Sequence, residues 1–109
     1  MTLLDVSATQ FFATSDGKDL ATDATFDVIN PSTGQVFAQA PSVTPEQLDV
    51  VFAAANRAYR DWKRDEGLRR TVLLAAAVAV EAAVDELAPI LVAEQGKPLA
   101  QARAEVLAS

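Results

Sequence analysis

A chain of 109 residues, half of them hydrophobic, falls within the size range of one domain and carries enough apolar side chain for a core. Its net charge of −6 excludes the basic footprint of a nucleic-acid binder and opposes docking on anionic membrane. With neither Cys nor His, the chain has no disulfide, no thiolate nucleophile, no Cys-based metal site and no imidazole base, a composition that suits a cytoplasmic protein. Met1–Asp5 lacks the basic start and long apolar core of a secretory leader. The longest apolar run, Val72–Val80, falls far short of the ~20 residues a transmembrane helix needs.

In chain order, Gln10–Thr14 reads as a short strand and Ser15-Asp16-Gly17-Lys18 as a turn. Thr25–Ile29 alternates Phe26 and Val28 with polar neighbours, as a half-buried strand does. Asn30-Pro31-Ser32-Thr33-Gly34 follows with turn chemistry: Asn opens it, Pro presets φ, and Gly accepts positive φ at the exit. Gln35–Ala40 is the return strand of a β-hairpin, and Pro41 is expected to close it.

The chain then turns helical in composition, rich in Ala, Leu, Val, Glu and Arg. Thr44 is the expected N-cap, Gln47 completes a capping box, Pro45 takes the first helical position, and Val43 with Leu48 is placed for a hydrophobic staple. Leu48, Val51, Phe52, Ala55, Tyr59 and Trp62 form one apolar stripe, so Tyr59 and Trp62 read as core rather than as an aromatic platform. Gly67 is expected to break this helix, and a second runs from Leu68 to Val84. Its centre, Val72–Val80, is apolar on every face, so it needs cover from more than one side, more than a hairpin and two helices supply. Pro89 predicts a restart near Asp85, with Leu87, Ile90 and Leu91 giving the third helix its apolar face. Gly96 is its stop, and Pro98 opens a fourth helix that still runs at Ser109.

Three segments together resemble the aldehyde dehydrogenase superfamily. They are the hairpin Phe26–Val36 with its Asn-Pro-x-Thr-Gly turn, the helix ending Ala58-Tyr59-Arg60-Asp61-Trp62 before Arg69-Arg70, and Asp85-Glu86-Leu87-Ala88 leading to Glu94-Gln95-Gly96-Lys97-Pro98-Leu99 and Ala102-Arg103-Ala104-Glu105-Val106. The match runs in order over residues 25–109. The resemblance implies an N-terminal piece of an enzyme that oxidises an aldehyde to a carboxylic acid with NAD or NADP. In that family a Cys thiolate attacks the aldehyde, hydride leaves the thiohemiacetal for the nicotinamide, a Glu activates water, and an Asn side chain with a backbone N–H holds the oxyanion. All of these lie downstream of the matched segment, and no G-x-G-x-x-G loop occurs in this chain, so it is expected to be catalytically inactive alone. Residues 1–24 would be a variable N-terminal segment, and residues 25–109 the incomplete start of the coenzyme-binding domain.

The expected fold is therefore α+β, an N-terminal β-hairpin followed mostly by α-helices. In the parent it forms part of an α/β Rossmann-like domain. The expected partners are the rest of the parent chain and further copies in a dimer or tetramer.

The resemblance also implies a metal site. Some family members hold a monovalent cation with a carboxylate that maps to Glu94 and backbone carbonyls that map to Val28 and Ile29, oxygen ligands that suit a hard cation. The competing role for Glu94 is a helix-end carboxylate satisfied by Lys97 or by backbone N–H groups. Lys97 lacks the surrounding residues of a phosphate loop and reads as a cation near C-terminal helix carbonyls. Asp65-Glu66 and Asp85-Glu86 are sequence neighbours that do not face one another on a helix, so they read as solvated caps. A stand-alone helical interaction module without enzyme activity is the alternative reading, resting on exposed apolar surface.

Overall fold

The computed structural model describes Val6 and residues 9–109; the leader reading at Met1–Asp5 lies outside the described residues. The elements are β1 (Ala13–Ser15), β2 (Lys18–Leu20), β3 (Ala24–Asn30), β4 (Gln35–Ser42), α1 (Pro45–Trp62), α2 (Glu66–Ala82), α3 (Val84–Gln95) and α4 (Leu99–Ala108). The architecture is α+β, with two separate antiparallel hairpins, β1-β2 and β3-β4, and four helices.

The first hairpin corrects the expected strand at Gln10–Thr14. Asp16 and Gly17 both adopt positive φ, 55° and 72°, the two-residue geometry that matches the natural strand twist. That tight turn pairs Ser15 directly with Lys18, so the strand moves to Ala13–Ser15. In the second hairpin the strands run longer than expected. Pro41 lies inside β4, opposite Thr25, instead of closing it. A two-stranded sheet leaves one side of each strand unpaired, so the missing Pro N–H costs no ladder bond. On the polar side, the Thr25 hydroxyl donates to Gln39 Oε1 at 3.0 Å, and Gln39 Nε2 donates to Asp27 Oδ1.

The start of α1 follows its sequence signal. The Gln47 backbone N–H donates to Thr44 Oγ1 at 3.2 Å, and the Thr44 N–H donates to Gln47 Oε1 at 3.0 Å. The same Gln47 side chain donates from Nε2 to the Ala21 carbonyl at 2.9 Å, fastening the helix start to the chain beyond β2. The stripe expected to be buried is corrected in part, since only its members Val51 and Ala55 face the neighbouring hairpin. Ala54 is the buried residue of α1, and Val51, Ala54, Ala55 and Ala58 line the cleft against the β1-β2 turn. These also recur at helical spacing, and their small side chains let a short hairpin approach closely. Phe52 and Tyr59 stay exposed, with Lys63 Nζ 5.1 Å from the Tyr59 ring centroid, while Trp62 is half-buried. Tyr59 is thus not core within this chain.

Gly67 does not break the helical run. Asp65 caps α2 by accepting from the Leu68 N–H at 2.8 Å, which places Gly67 in the first turn of α2. Arg69 reaches back to donate to the Trp62 carbonyl at 2.7 Å, satisfying one of the orphan acceptors at the end of α1. The next restart comes near Asp85 as expected, with Ala83 as the N-cap and Pro89 within α3. Pro98 is the N-cap of α4, not its first helical residue. α3 and α4 pack through small residues, with Ala88 and Ala102 both completely buried.

The centre of α2 is uncovered. Leu73, Leu74 and Val78 are 62%, 58% and 66% exposed, and α2 contributes no buried residue. The chain exposes 8211 Å² for its 11.5 kDa, against roughly 5,800 Å² for a compact monomer of that mass. Its radius of gyration is 16.7 Å, where a compact chain of this length has about 13 Å. Among the described residues no helix is long and apolar enough to cross a membrane.

Three outcomes follow from the packing and the caps. In size-exclusion chromatography coupled to light scattering, the isolated chain is expected to self-associate, and Val78→Glu together with Leu74→Lys to reduce it. A cooperatively unfolding monomer would contradict the exposed-helix account. In a peptide spanning residues 43–64, Thr44→Ala should lower helicity by circular dichroism, at a cost of about 1 kcal/mol. Glu46 adds a pH dependence. Its own backbone N–H, then the Thr44 hydroxyl, hold its carboxyl below the ordinary value of 4.5. A depressed carboxylate stabilises the helix above its unfolded value, and that contribution is lost as pH falls through the helical value. Peptide helicity should therefore drop on acidification, and less so in Glu46→Gln.

Candidate functional site

The β3-β4 turn is held by its own residues. Asn30 Oδ1 accepts from the Ser32 N–H at 2.9 Å, and the Asn30 carbonyl accepts from the Gly34 N–H at 2.8 Å. The Gln35 N–H donates to Thr33 Oγ1 at 3.2 Å. Gly34 takes φ 70° at the exit, as the turn chemistry requires.

This turn meets the end of α3. Gly96 adopts φ 72° as a left-handed C-cap, its N–H donating to the Val92 carbonyl at 2.8 Å. A Cβ built there would lie 3.1 Å from Pro31 Cγ and 3.3 Å from Ser32 Oγ. The bare α-carbon of Gly96 is what lets the Pro31-Ser32 tip rest on the helix end.

That contact sets α3 beside β3. Residues Val28 and Glu94 line one pocket of about 150 Å³, with Phe37, Ala38, Ile90 and Val6 as apolar walls. A bulge opens the ladder at the same level. Val28 pairs with Ala38 but Ile29 pairs with Val36, so Phe37 is the extra residue on β4. Ile29 is exposed, at 54%, and does not line the pocket. The structure therefore brings Glu94 and Val28 together and leaves the Ile29 side chain outside. Nothing in the sequence marks the bulge, since no Gly stands there. Phe37, Ile90 and Val6 were likewise hidden, because each reads as ordinary apolar sequence.

The expected neighbour of Glu94 is elsewhere. Lys97 pairs with Glu105 across the start of α4, rather than with Glu94. Asp85 is not merely solvated, since Arg103 pairs with it and ties α4 to α3. Both pairs are at least partly exposed, and such pairs contribute little. Asp65 is a helix cap, as its sequence position suggested. Among the described residues, no group of three or more Asp or Glu gathers to hold a metal ion. Among the described residues that line it, the pocket offers a single carboxylate, with no nucleophile or second titratable group.

The aldehyde dehydrogenase family model matches residues 19–109. This chain belongs to that family. Over 101 residues it is 41% identical to a probable aldehyde dehydrogenase of Pseudomonas sp, covering 92% of this chain and 21% of that protein. It is 45% identical over 84 residues to a 3,6-anhydro-alpha-L-galactose dehydrogenase of Streptomyces coelicolor, covering 74% of the chain and 17% of the relative. A 3-sulfolactaldehyde dehydrogenase of Pseudomonas putida is 38% identical over 107 residues, with 95% and 22% covered. The chain thus spans about a fifth of the length of these dehydrogenases, matching the family at its N-terminal segment. Two of the segments that carry the resemblance in sequence, the Asn-Pro-x-Thr-Gly turn and Glu-Gln-Gly-Lys-Pro, are the two that touch in space.

The contact of turn and cap is open to a direct test. Gly96→Ala must hold a Cβ in a left-handed residue, at about 1–2 kcal/mol, and must also displace Pro31. Amide hydrogen exchange at residue 96 should accelerate by roughly five- to thirtyfold, the factor that energy carries. Unchanged exchange would show that the turn does not rest on the cap.

Proposed function

We propose that these 109 residues are the N-terminal segment of an NAD(P)-dependent aldehyde dehydrogenase that oxidises an aldehyde to a carboxylic acid, and that the segment's own role is structural. The observation that carries this reading is the uncovered α2 helix within a chain that belongs to the family but spans about a fifth of its relatives. On this reading residues 25–109 begin the coenzyme-binding domain, and α2 packs beside the parallel sheet of a Rossmann-like fold supplied by the rest of the parent. Residues 1–24 form the variable lead-in. The parent is a cytoplasmic homo-oligomer, a dimer or tetramer.

The chemistry falls to residues outside this chain. Without Cys the segment has no nucleophile for a thiohemiacetal. The residues present do not fit a dinucleotide either. The chain has no glycine-rich phosphate loop, so NAD or NADP binds elsewhere in the parent. The independent-module reading has only the exposed apolar surface behind it.

The segment's closest approach to a ligand site is Glu94. A monovalent cation held by the Glu94 carboxylate and the backbone carbonyls of Val28 and Ile29 is supported by the shared Val28–Glu94 pocket, by the adjacent bulge, and by the engagement of Lys97 with Glu105. Such an ion would brace the strand against the end of α3 and take no part in hydride transfer.

Two experiments test these statements. The protein carrying the whole open reading frame should reduce NAD or NADP in the presence of an aldehyde, seen as growth of reduced-nicotinamide absorbance, and the 109-residue chain should not. Turnover by the isolated chain would overturn the structural role. In crystals of the full-length protein soaked with thallium, an anomalous peak within coordination distance of Glu94 is expected and should vanish in Glu94→Gln. A soak without that peak removes the cation.

A further inference from the structure

We draw no further inference here: the strongest candidate, the open apolar groove between α2 and α4 lined by Leu73, Ala77, Val80, Val106 and Leu107, is part of the uncovered face already assigned to the rest of the parent, and nothing in the structure shows what else covers it.

Discussion

The Pro31-Ser32 tip resting on the left-handed cap at Gly96 joins the strand half of the molecule to its helical half. Most other links in the chain are short in sequence. The capping box lies within four residues, Asp65 caps three residues ahead, and Arg69 reaches back seven. The turn–cap contact spans more than sixty residues, and the placement of Glu94 beside Val28 depends on it. It needs two unrelated backbone choices at once, an Asx-type turn that projects proline and a helix end without a Cβ. This accounts physically for a family resemblance written partly in glycines and prolines rather than in reactive side chains.

Secondary structure and tertiary structure rest on different supports in this chain. The helices are specified locally, by Thr44, Asp65, Pro98 and Gly96 at their ends. The core that should hold them together is thin. Of the described hydrophobic residues, the buried ones are alanines and valines, and no bulky side chain is fully enclosed. Close packing through Ala88 and Ala102 sets α4 on α3 with little apolar area behind it. The elements themselves leave Leu74 and Val78 of α2 exposed.

Much of this was legible in the residues. The order of elements from β3 onward, the β3-β4 turn, the α1 cap, the left-handed stop at Gly96 and the unmet demand of Val72–Val80 all rest on local chemistry or simple periodicity, and they are where the sequence placed them. The failures share one cause. Gly67 and Pro41 were read as breaks because each has a poor intrinsic propensity, but each stands where its defect is tolerated: a first turn and an outer strand edge. The α1 stripe failed differently. Two overlapping apolar faces share Val51 and Ala55 on that helix, one extending to large side chains and one to alanines, and periodicity alone ranks the large one first. Only the nearness of the β1-β2 hairpin selects the face with Ala54. Of the pocket, the carboxylate and one strand residue were readable, while the bulge that shapes it has no residue-type signature.

The bare flank of α2 also has a thermal consequence. Joining it to any apolar cover is driven by release of structured water, with a negative heat-capacity change and little enthalpy near room temperature. Such a seam loosens on cooling, whereas helices fixed by hydrogen-bonded caps tighten. Chilling would therefore weaken any docking on this flank before it unravelled the chain's own coils.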